Sequence, residues 1–115
     1  MTGSAIIVFT QMPDRTSALD LARSLLEARL AACVSIGSPV ESLYHWRGQI
    51  ETAQEIPVAV KTQARCYAEV EDAIRSRHPY ELPEIVAVPL VDGFAPYLEW
   101  LADETETPSR QPGGR

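Results

Sequence analysis

Residues 40–61, VESLYHWRGQIETAQEIPVAVK, set the tightest limit on how this chain can fold. Two β-prone runs flank Arg47-Gly48, a two-residue turn signal, so the stretch reads as one hairpin. Ile56, Val58 and Val60 alternate along the return run, the period of a half-buried strand. Pro57 has no N–H to give, so its nitrogen side should face no partner strand. The return run alone holds about 12 residues, or about 40 Å at roughly 3.3 Å per residue. A globule of this size has a radius of gyration of about 14 Å. The hairpin should therefore overhang one end of its sheet. A projecting ribbon that carries Leu43, Tyr44, Trp46 and Ile50 is not stable alone in water. Its free edges also invite pairing with other chains. Association of copies into a closed ring satisfies both needs. The alternative is a hairpin that curls back over its own core.

The rest of the chain supplies a small sheet and its cover. Residues 5–10 (AIIVFT) form a short β-rich run expected to be buried on both faces. Pro13 and Asp14 start a helix expected over 14–31, with Ala18, Leu21, Ala22, Leu25 and Leu26 at helical spacing. A second strand opens at Cys33 and is broken by Gly37, Ser38 and Pro39, a bend or bulge, before the hairpin begins. The spacing of Tyr67, Val70 and Ile74 predicts a second helix over 64–78, with Thr62 as its N-cap and Pro79 as its stop. Residues 84–90 (EIVAVPL) read as the fourth strand. Phe94, Tyr97, Leu98 and Leu101 mark a last helix, with Pro96 tolerated in its first turn. The order βαββαβα, with the helices on one sheet face, gives an α+β ferredoxin-like sandwich with a long hairpin between its second and third strands. Residues 1–103 form that single domain, and 104–115 (ETETPSRQPGGR) read as a disordered polar tail.

Charge narrows the partners. With 10 basic and 16 acidic residues the chain carries −6, which repels phosphate backbones and argues against nucleic acid. The N-terminal residues MTGSAIIVFTQMP have no basic leader and only five apolar residues in a row. No signal peptide or membrane span is expected, and the protein is expected to be cytoplasmic. Two cysteines are too few for a disulfide scaffold, so Cys33 and Cys66 are read as reduced thiols.

One corner concentrates chemistry. Residues 75–90, RSRHPYELPEIVAVPL, place His78, Tyr80, Glu81 and Glu84 between a helix and a strand. His78 nitrogen with Glu81 or Glu84 oxygens could meet one cation. Copper and zinc prefer two or more Cys or His ligands, and no CxxC, HxH or HExxH occurs. The competing reading is a capped helix end, where prolines fix the turn and His78 bonds a carbonyl. A Cys33–His78 nucleophilic pair lacks a marked orienting group. Lys61-Thr62, where a strand should give way to a helix N-terminus, could receive a small anion or hold a salt bridge.

In order and spacing, LLEARLAACVSI, SLYHWRGQIE, EIPVAVKT, RHPYELPEIVAVPL and YLEWL resemble the CutA-type divalent-cation tolerance proteins over residues 5–102. The resemblance implies a ferredoxin-like subunit in a homotrimer similar to PII signalling trimers, with hairpins paired between neighbours. It also implies tolerance of divalent cations, copper binding and no established enzymatic activity. The family pattern falls on Cys33, Tyr44, Trp46, Gly48, Lys61, Thr62, His78, Pro79, Tyr80, Glu81, Pro83 and Glu84. Some members carry a second histidine before the HPY and a cysteine in the first strand, where this chain has Arg77 and Phe9. Both departures remove soft ligands.

Together these readings give a non-catalytic, cytoplasmic homotrimer with no nucleic-acid or membrane partner and no organic cofactor. Its intersubunit clefts would hold a divalent cation, copper first and zinc second, or a small effector. His78 is the expected primary ligand, with Glu81, Glu84 and Cys33 as further donors, and Tyr80, Tyr44, Trp46, Lys61 and Thr62 lining the cleft. The alternative is a signalling trimer without metal that takes a small anionic effector or a protein partner.

Overall fold

The computed structural model describes residues 4–105. Strand β1 (Ala5–Met12) pairs antiparallel with both β4 (Gln49–Gln63) and β5 (Ile85–Pro89). Strand β2 (Cys33–Ile36) lies on the other side of β4, and β3 (Val40–Trp46) continues along that same side. The sheet order is β2-β4-β1-β5, so β4 sits between β1 and β2, which run parallel to one another. This split β-α-β arrangement is the ferredoxin-like sandwich expected from the element order.

Helices α1 (Arg15–Glu27), α2 (Tyr67–Arg77) and α3 (Ala95–Glu104) accompany the sheet. The core lies between one sheet face and the first two helices. Ile6, Val8 and Met12 from β1 meet Ile56, Val58 and Val60 from β4, and Leu21, Leu25, Val70 and Ile74 close over them. Strand β1 is thus covered on one face rather than two. Ile7 and Phe9 point to the uncovered face, and Phe9 remains 36% exposed.

Asp14 caps α1 as its composition suggests, its Oδ1 accepting from the Ser17 N–H at 2.8 Å. The helix ends at Glu27, four residues short of expectation. Arg29 adopts φ 59°, its N–H donates to the Leu26 carbonyl, and the Leu30 N–H donates to Leu25. That is a Schellman turn with arginine where glycine is usual.

Between the pairs Ile36↔Val58 and Val40↔Glu55, three residues of one strand face two of the other. The bulge has a cause. The Pro57 carbonyl accepts from the Gly37 N–H, so Pro57 turns its hydrogen-bonding edge, and its missing N–H, towards the break. The proline is tolerated in a central strand because the neighbouring strand steps away there.

Strand β4 runs to Gln63, since Ala5 pairs with it, and a 3₁₀ turn (Ala64–Cys66) precedes α2. Thr62 is therefore not a helix cap. It lies fully buried within β4, and its hydroxyl donates to the Leu30 carbonyl at 2.6 Å. At the far end of α2, His78 takes an extended backbone, φ −91° and ψ 131°, as a residue before proline should. Helix α3 includes Glu104, and Thr105 beyond it is buried, bonded to the Leu101 carbonyl and to Gln63. The remainder of the expected tail lies outside the described residues.

The hairpin turns at Arg47 (φ 52°) and Gly48 (φ 80°), both left-handed, the signature of a type I′ turn. It does project. The longest dimension is 48 Å against 24 Å for the shortest, with Leu43 67% and Ile50 69% exposed. The tip leans towards the 78–84 corner without covering the core.

Candidate functional site

Strand β1 ends at Met12, opposite Ile56, while β4 runs on into the hairpin. Across that gap the chain from Tyr80 to Val86 enters β5. The space left where β1 stops is an open groove of about 1150 Å³. Tyr44, Trp46 and Glu55 line its hairpin wall, and Tyr80, Glu81 and Glu84 its opposite wall.

Pro79 and Pro83 hold the second wall in extended geometry. His78 is fixed by both ring nitrogens: Nε2 bonds the Gln11 carbonyl near the end of β1, and Nδ1 accepts from the Tyr80 N–H at 3.4 Å. This places the proton on Nε2 and tilts the imidazole against the Tyr80 ring, centroids 4.4 Å apart. The histidine ties the α2–β5 loop to β1, as the capped-corner reading proposed.

Glu81 accepts from the Arg47 guanidinium at 3.2 Å, which draws the hairpin tip towards the corner. Both side chains are mostly exposed, so the pair contributes little to stability. Arg47 also lies 5.3 Å from the Trp46 ring centroid. Glu84 accepts a long 3.4 Å bond from Gln11 Nε2.

Sequence reasoning missed Glu55. It is only 8% exposed, in β4 at the mouth of the hairpin. The Tyr80 phenol lies close enough to its carboxylate to feel its charge. Burial first, then the nearby Glu55 carboxylate, then Tyr44, push the Tyr80 pKa above 10.0. Tyr80 therefore stays protonated beside Glu55. No strand pattern singles Glu55 out, because a tyrosine from another element is what covers it.

The other expected residues lie elsewhere. Lys61 and Cys33 are adjacent on the uncovered sheet face, as ladder partners, with Ile7 on the other side of Lys61. Helix α2 begins well beyond Lys61, and Thr62 spends its hydroxyl inside the core, so no anion cradle forms around this pair in one subunit. Cys33 is level with Ile7 and His78 with Gln11, roughly 13 Å apart along β1. Among the described residues no three His, Cys, Asp or Glu side chains gather where they could hold a metal ion. With both His78 nitrogens engaged and Glu81 paired to arginine, the expected ligand set does not fit a copper or zinc centre within one subunit. No described helix is long and apolar enough to cross a membrane.

Comparison with known proteins agrees with this architecture. Residues 6–104 match the family model described as CutA1 divalent ion tolerance protein. The human Protein CutA is 39% identical over 93% of this chain, which spans 60% of that relative's length. The divalent-cation tolerance protein CutA of Thermus thermophilus is 37% identical over 86% of this chain and 96% of its own. The crystal structure of CutA1 from the psychrotrophic bacterium Shewanella sp. SIB1 superimposes with a TM-score of 0.87 at 40% identity, over 91% of this chain and 98% of that one. The chain belongs to the CutA1 divalent ion tolerance protein family.

Proposed function

We propose that this protein acts in divalent-cation tolerance as a non-catalytic cytoplasmic homotrimer that binds a small ligand in the groove between the hairpin and the 80–86 segment. The observation that carries the reading is the apolar surface a single subunit leaves in water. Leu43 and Ile50 on the ribbon, and Phe9, Val86 and Val88 on the uncovered sheet face, are all at least 36% exposed. Among the described residues, strands β3 and β5 each pair along one edge only. Surface of this kind calls for sister copies. A ribbon shared among three subunits also walls in the groove.

A divalent cation, on this reading, is met by side chains of more than one subunit or acts through the ligand, because His78 is a positioning residue. Neither Cys33 nor Cys66 is in a disulfide, which suits a reducing compartment. Copper and zinc titration of the purified protein beside His78→Ala tests this. Equal isotherms are expected, with the variant melting earlier because the Gln11 carbonyl loses its partner. Micromolar metal binding that disappears in His78→Ala overturns the reading and restores a histidine-centred metal site.

A further inference from the structure

The groove holds an anomaly. Glu55 is nine-tenths buried, yet no basic side chain pairs with it among the described residues. The neutral phenol of Tyr80 lines the same groove and brings it no charge. A buried carboxylate without a counter-charge is costly to keep. Around it the groove presents π-faces, from Tyr44 and Trp46 on the hairpin and Tyr80 opposite. Glu81, paired with Arg47, and Glu84 add carboxylates at the rim, His45 stands beside them, and no lysine or arginine among the described residues lines the groove.

Each ligand class meets this surface differently. An anion meets three carboxylates, and the cation at the rim, Arg47, is already paired with Glu81. A soft metal finds no thiolate and a single imidazole, that of His45, where two or more such ligands are wanted, and Tyr80 keeps its proton. An organic cation finds one buried carboxylate for a charge-assisted hydrogen bond and aromatic faces for its positive charge. We infer that the groove is a site for a small organic cation, a primary ammonium or guanidinium compound, held by Glu55 between Tyr44 and Tyr80. This inference rests on the proposed ligand-binding trimer and names the class of its ligand. It also replaces the anionic effector expected beside Lys61, which lies outside the groove.

The test is calorimetric titration of the full-length protein with agmatine, glutarate and zinc chloride, with sedimentation of the same samples. Agmatine is expected to bind. Glu55→Gln should weaken it by about tenfold or more, through loss of the charged acceptor. Tyr44→Leu, at a half-exposed position of the subunit, should weaken it by about three- to fivefold. Glutarate should not bind, and zinc should not displace agmatine. A trimer that fails to bind agmatine, or binds it equally well in both variants, overturns the inference and leaves the trimer standing. Glutarate binding or displacement by zinc overturns it too. A Glu55→Gln chain that falls apart into monomers, with no agmatine binding in the parent, assigns the counter-charge to a neighbouring copy and overturns it as well. If the parent protein itself sediments as a monomer, the proposed trimer fails, whatever agmatine does.

Discussion

Two buried threonines separate what a hydroxyl does from where it sits. Thr10 and Thr62 are 1% and 0% exposed, both on the helix-covered side of the sheet. The Thr62 hydroxyl donates to Leu30, while the Thr10 Oγ1 meets no partner among the described residues. Removing a donor that satisfies a buried carbonyl costs about 1–2 kcal/mol, whereas an unsatisfied hydroxyl only burdens the fold. Thr62→Val should therefore lower the urea midpoint, and Thr10→Val should hold or raise it. Equal losses in both contradict the hydrogen-bond assignment. The phenols give a second residue-scale prediction. Tyr67, by burial and then Glu71, and Tyr80, by burial and then Glu55, both have folded pKa values above 10.0. The folded state then binds more protons than the unfolded one once pH passes 10. Their contribution is complete below pH 10 and is lost as pH climbs through the folded values. Unfolding free energy should fall above pH 10, and less steeply in Tyr80→Phe; an unaltered slope would refute the Tyr80–Glu55 link. The sequence announced His78, because a histidine before proline at a helix end has a small set of geometries. It hid Glu55, because burial of a carboxylate by a distant tyrosine leaves no local trace.

The elements were legible where one local rule decides them. Asp14, Pro79 and the Arg47-Gly48 turn each act through their own backbone, and each boundary stands within a residue or two of expectation. The end of α1 was not legible, because Arg29 takes a left-handed conformation that glycine normally advertises. Nor was the start of α2. Pairing with Ala5 stretches β4 to Gln63, and that long-range ladder overrides the cap preference of Thr62. The bulge was visible as a Gly-Ser-Pro break, but its reason, the bare nitrogen of Pro57, needed the register. A Cβ on Gly37 would stand 3.0 Å from Pro57 Cγ. Gly37→Ala should cost about 1 kcal/mol through this crowding. Adding Pro57→Ala should recover most of that cost, since the two residues share one contact. Strictly additive losses in urea melts at one protein concentration would show that the bulge does not depend on this contact.

At the scale of the whole molecule, one dimension governs the rest. A strand of 15 residues, Gln49–Gln63, is longer than the sheet that anchors it. The subunit is 48 Å long with a radius of gyration of 15.1 Å, and its ribbon and one sheet face keep large apolar side chains in water. Sequence alone predicted the overhang, because strand length and globule size scale differently with residue number. It could not predict the groove, which exists only because β1 stops where β4 continues. The function proposed for this protein depends on copies of this chain covering that surface and walling that groove. Sedimentation equilibrium at micromolar concentration tests this most directly. The account predicts a single species of about 38 kDa, three times the 12.7 kDa chain. A single species of 12.7 kDa across that range would contradict it.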